Sequence, residues 1–111
     1  MVNFRSSLNI SENIAALIAY LFGWISGLII FLLEKESSFV RFHALQSLVF
    51  FGGMSLILGI LIRIPLIGRV FALAGIILSL VYWIIGMVNA YRGELYRFPI
   101  AGDFAARQIR D

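Results

Sequence analysis

The sequence predicts an all-α integral membrane bundle: three transmembrane helices and a short amphipathic interfacial C-terminal tail, in one domain over residues 1–111. Three observations predict it. Hydrophobic residues make up 61% of the chain and charged ones 14%, with a mean hydropathy of +0.97; soluble domains carry about 25% charged residues. A chain of 111 residues cannot hide that much apolar surface from water, because small domains bury a limited share of their area. Finally, the apolar residues gather into three stretches free of Asp, Glu, Lys and Arg: Asn13–Leu33, Ala44–Ile62 and Val70–Tyr91. Each offers the roughly 20 residues a helix needs to cross about 30 Å of hydrocarbon. Lipid leaves the backbone only helices or closed barrels, and the alternation of barrel strands is missing.

The first span, about 12–33, starts from Ser11 as N-cap, with Glu12 at the positive end of the helix dipole. Its apolar run exceeds a signal-peptide core and no small-x-small site precedes "EKE", so the chain reads as mature from Met1. Glu34, Lys35 and Glu36 then force the backbone into water, and Ser37 and Ser38 offer caps for a second span, about 38–62. In "RIPLIGR", Pro65 and Gly68 punctuate a tight hairpin, while Arg63 and Arg69 reach for headgroups. The third span covers about 70–91.

In the tail, 92–111, Gly93, Pro99 and Gly102 break the helical pattern, and Asp103 can cap a last short turn through Arg110. Phe98, Ile100, Phe104 and Ile109 alternate with arginines, the pattern of a segment in the interface plane; Tyr91 and Tyr96 suit the aromatic belt. Three crossings put the N-terminus on the side of Arg63 and Arg69, with Arg5. The opposite side collects Lys35, Arg41, Arg92, Arg97, Arg107 and Arg110. The basic side is cytoplasmic by the positive-inside rule, so the expectation is a cell-membrane protein with its N-terminus outside and its C-terminus cytoplasmic.

The candidate site lies where the second span begins. Arg41 and His43 fall in its first turns, with Gln46 and Ser47 three and four residues past His43 on the same face. Such a polar stripe must face another helix or water. It can be structural, with Arg41 and His43 anchoring and Gln46 bonding across helices, or it can be a proton or substrate path. Small residues recur on each span: Gly23 and Gly27 in "GWISG", Gly52, Ser55 and Gly59, then Gly75, Ser79, Gly86 and Ala90. These permit close helix packing, within the chain or between copies. Asn89 is placed to satisfy backbone groups of the tail, and Trp24, Tyr82 and Trp83 sit inside the spans.

No catalytic set, cofactor loop or metal-ligand cluster emerges, so neither an enzyme nor a cofactor is expected. The absence of cysteine removes disulfides and thiolate chemistry. A net charge of +3 spread over loops suits lipid headgroups rather than nucleic acid. The implied partners are the bilayer, other membrane proteins and a second copy of the chain.

Two blocks carry a resemblance: "FVRFHALQS", Phe39 to Ser47, with the "GW" span and "EK" turn before it, and "AYRGELYRFPIAGD", Ala90 to Asp103, with Tyr96, Arg97, Pro99, Gly102 and Asp103. Together they resemble a family of small uncharacterised prokaryotic membrane proteins. That family is distantly similar to the twenty-kilodalton subunit of the chloroplast inner-envelope translocon, which is described with four spans. The resemblance implies a small helical bundle with an interfacial tail, and a helper or scaffold role in membrane-protein assembly or protein translocation. The alternative is a small oligomeric transporter or channel with His43, Gln46 and Ser47 along a wet path.

Overall fold

The computed structural model describes residues 10–109. Of these, 78% are helical and none forms a strand. Five helices follow one another: α1 (Glu12–Leu21), α2 (Trp24–Leu33), α3 (Ser38–Leu61), α4 (Ile67–Arg92) and α5 (Ala101–Gln108). Two of them, α3 and α4, are long and apolar enough to cross a membrane. Only 28% and 11% of their most apolar windows are buried, so neither is the core helix of a water-soluble fold, which would hide such residues.

The first expected span is not one crossing helix. It breaks at Gly23, whose φ of 65° and ψ of −136° lie where side chains other than glycine are strained. The chain reverses there, and α2 runs back beside α1. Two contacts fix the sense: the Ser37 hydroxyl, just past α2, donates to the carboxylate of Glu12, the first residue of α1. Asn13 Nδ2 donates to the Tyr91 carbonyl at the end of α4, at 2.5 Å. Ten-residue helices reach about 15 Å, half of a hydrocarbon core. The start of α1, the 34–37 loop, the end of α4 and α5 therefore share one end of the molecule, and the 62–66 turn forms the other. The expected opposition between residue 12 and the tail is corrected by the same contacts; Arg5 and Arg110 lie outside the described residues.

A chain reversal within an apolar helix pair needs its polar groups satisfied locally. Ser26 does much of this. Its hydroxyl accepts from the Phe22 N–H at 2.9 Å and lies 3.1 and 3.2 Å from the Ala19 and Gly23 carbonyls. Ser47 Oγ donates to the Gly23 carbonyl at 2.9 Å, and Trp83 Nε1 to the Tyr20 carbonyl at 2.8 Å. The reversal is thus pinned to α3 and α4 at the level of Ser47, Phe51 and Trp83.

The seam after α2 is more buried than a water-facing loop. Glu34 is fully buried, and its carboxylate accepts from the N–H groups of Glu36 and Ser37 at 3.1 and 2.8 Å. Ser37 then caps α3 by accepting from the Val40 N–H at 3.2 Å. Arg41 folds back onto the end of α2. Its guanidinium donates to the Phe31 and Glu34 carbonyls at 3.2 and 2.7 Å and lies 4.3 Å from the Phe31 ring centroid, placing a cation on the exposed carbonyls that end α2.

At the far turn, α4 begins at Ile67, so Gly68 is helical; a Cβ there would lie 2.2 Å from the Leu61 carbonyl. The close approach of α3 and α4, not a turn, requires that glycine. Gly93, at φ 79°, closes α4 as a left-handed cap. Asn89 Nδ2 bonds within its own helix, to the Ile85 carbonyl at 2.9 Å, and does not serve the tail with its side chain. Asp103 lies inside α5, whose N-cap is Ile100 without a side-chain bond. The tail is docked on the bundle: α5 packs Ala105 onto Phe42 and Leu45 of α3, and Phe98 is 1% exposed among Tyr20, Phe50, Phe51 and Tyr82.

Candidate functional site: a buried polar lock

The polar residues at the start of α3 end in one network. His43 Nε2 lies 2.8 Å from the Glu94 carbonyl, an acceptor, so it carries the proton; Nδ1 then accepts from the Tyr20 hydroxyl at 2.7 Å. The Tyr20 oxygen accepts in turn from Gln46 Nε2 at 2.8 Å. The second amide hydrogen of Gln46 goes to the Tyr96 carbonyl at 3.0 Å, and Gln46 Oε1 accepts from the Phe98 N–H at 2.7 Å. Three sequence-distant pieces meet here: α1, the first turns of α3, and the 94–98 segment, which contributes at Glu94, Tyr96 and Phe98.

Aromatic rings enclose it. The His43 ring stands edge-on to Phe39, Phe42 and Tyr20 at centroid distances of 4.7, 5.3 and 5.4 Å. His43, Gln46, Ser47 and Tyr20 are all 0% exposed. In so dry a setting each bond is strong, and each orphaned partner costs free energy. The site grips the chain's own tail.

Among the predicted residues, His43 and Gln46 join in this lock, Ser47 ties down the Gly23 reversal, and Arg41 caps α2. His43, Gln46 and Ser47 are buried against other parts of the same chain. Tyr96 contributes its carbonyl. Arg97 meets Asp103 at 3.4 Å on the surface, both side chains more than half exposed. Pro99 follows Phe98 into the turn before α5, and a Cβ on Gly102 would lie 2.6 Å from Arg97, so that glycine lets the tail fold on itself.

The glycines divide by position. A Cβ on Gly27 would meet the Ala44 carbonyl and Leu48 nitrogen at 2.9 Å, so α2 and α3 touch backbone to backbone. Gly86 lies under the Tyr20 and Phe98 rings, Gly75 under Leu58, and Gly52 beside Trp24. Gly59 faces open space, with nothing among the described residues within reach of a Cβ there. Sequence reasoning missed Tyr20, the hub of the lock, and Ser26. A tyrosine deep in an apolar run, away from the aromatic belt, was the available signal for the first, since a buried hydroxyl wants a partner.

Among the described residues, no group of three or more His, Cys, Asp or Glu is placed to hold a metal ion. Fold and site together define a class: a small all-helical protein with two bilayer-length helices, whose buried polar groups serve its own architecture. The chain belongs to the family described as the magnetosome magnetite crystal formation protein family, whose profile matches residues 6–105.

Its relatives include two proteins of Methanocaldococcus jannaschii named as UPF0132 membrane proteins. One is 45% identical, covering 95% of this chain and 75% of its own length; the other is 43% identical, covering 91% of each. A UPF0132 membrane protein of Archaeoglobus fulgidus is 38% identical over 88% of this chain and 95% of its own length. These names and the two apolar helices agree on a membrane protein of an uncharacterised family. Nothing in them supports the distant likeness to the plastid translocon subunit. No solved structure matches the chain.

Proposed function

We propose that the protein is a non-enzymatic membrane scaffold, anchored by α3 and α4, that holds a compact platform at one membrane face for contact with other membrane proteins. The platform consists of the 34–37 loop, α5 and the neighbouring ends of α1 and α4. The observation carrying this reading is the lock: every polar atom of His43 and Gln46 is engaged with the chain itself. A helper role in membrane-protein assembly or translocation fits such a device. The family's description speaks of magnetite crystal formation, but no acidic ligand cluster among the described residues favours bringing it to this chain.

In this reading the first segment is a re-entrant hairpin and the chain crosses the bilayer twice. The platform end carries Lys35, Arg41, Arg92, Arg97 and Arg107, against Arg63 and Arg69 at the far turn, so the platform faces the cytoplasm.

The test is affinity purification in mild detergent with wild-type protein and the Gln46→Leu variant, which loosens the platform. A membrane-protein partner that co-purifies reproducibly with the wild type and is depleted with the variant is expected. No reproducible partner with the wild type would overturn the scaffold reading.

A further inference from the structure

The cross-section of the molecule changes abruptly along its 48 Å long axis. From the platform down to Gly23, α1 and α2 lie against α3 and α4, with α5 on top. Among the described residues only two helices continue beyond the reversal: Gly53–Leu61 of α3 and the Ile67–Leu80 part of α4. With α3 as the ruler, Gly23 sits opposite Ser47 and Phe51, so the thick part reaches about 20 Å from the start of α3. The thin part is sheathed in exposed apolar side chains, among them Leu56, Ile60, Val70, Phe71 and Leu73. Directly beneath the reversal is an open apolar groove of about 340 Å³ between Leu21, Phe51, Leu58, Ile76, Leu80 and Trp83. Its lining suits acyl chains.

From this shape we infer that the protein is a one-leaflet wedge that binds preferentially to curved membranes, with the platform leaflet on the convex side. The inference rests on the two-crossing topology proposed above. At about 10 Å per helix, α1 and α2 add roughly 150 Å² of protein cross-section to one leaflet and none to the other. The exposed Ile100 and Phe104 of α5 extend the excess to headgroup level. A flat bilayer must compress one leaflet or thin the other around such a body. A leaflet already expanded by curvature accommodates it at less cost, as it does the one-sided insertion of an amphipathic helix.

The experiment uses the full chain with one introduced cysteine, reconstituted at low density into phosphatidylcholine–phosphatidylglycerol vesicles of mixed diameter. A dye on Gln108→Cys reports protein per unit membrane area, vesicle by vesicle. An impermeant thiol reagent reports sidedness for Glu36→Cys, Gln108→Cys and Leu66→Cys. We expect at least about a twofold higher density in vesicles near 50 nm than in those near 200 nm. In the small vesicles Glu36→Cys and Gln108→Cys should be accessible from outside in most molecules, and Leu66→Cys protected. Density independent of diameter, with Glu36→Cys and Gln108→Cys still sharing a side opposite Leu66→Cys, would overturn the wedge and leave the topology standing. Glu36→Cys and Gln108→Cys on opposite sides would overturn the topology, and the wedge with it.

Discussion

The two ends of α3 are built on different terms. Its first half, Ser38–Phe51, is surrounded by α1, α2, the tail and α5, and contains His43, Gln46 and Ser47, all fully buried. Its second half touches little besides α4 and exposes Leu56, Ile57 and Ile60. The first half is specified by hydrogen bonds and backbone contact with several parts of the chain, the second by length, greasiness and its close approach to α4 at Gly68 and Gly75. Lipid explains why both are stable. It solvates apolar side chains well and polar groups not at all, so polar residues survive only where the chain supplies their partners.

Substitutions can break this contrast. The largest effect should follow Gln46→Leu, which keeps the volume but strands the Phe98 N–H, the Tyr96 carbonyl and part of Tyr20. A loss of about 2–4 kcal/mol is expected in reversible unfolding in mixed micelles, with freer proteolysis of the tail. Gly27→Val should cost about 1–3 kcal/mol in the same measurement, because its side chain would collide with α3 backbone that cannot swing away. For Tyr20→Phe, which deletes one hydroxyl from the hub, about 1–2 kcal/mol is expected. In the thin half the response should invert. Gly59→Ala meets open space and should be neutral or stabilising by up to about 1 kcal/mol. Smallest of all is Ser79→Ala: its buried hydroxyl has no partner among the described residues, so stability should hold or rise by about a few tenths of a kcal/mol. A Gly59→Ala loss comparable to that of Gly27→Val would erase the distinction between the halves.

The same contrast explains what could be read from the sequence. Helices α3 and α4 were legible almost to their ends, because charge-free length is a direct consequence of bilayer thickness. The inward face of His43, Gln46 and Ser47 was legible too, from helical spacing and the cost of polarity in hydrocarbon. What they hold was not: their partners lie 23 to 52 residues away, and no local pattern encodes that distance. Gly23 was misread for a related reason. In an apolar run a glycine before a tryptophan looks like a packing surface, and only Ser26, Ser47 and Trp83 acting together turn it into a reversal. Glu34 looked like a charge bound for water and instead is buried, holding the loop before α3 through the N–H groups of Glu36 and Ser37.

The position of Phe98 carries a consequence for biosynthesis. A ribosome makes His43 and Gln46 long before it makes the segment that quenches them, so the nascent chain spends time in the bilayer with raw amide and imidazole groups. Completion of the C-terminal segment seals the molecule, and a product cut short before that point displays its unfinished state to the membrane's quality-control proteases.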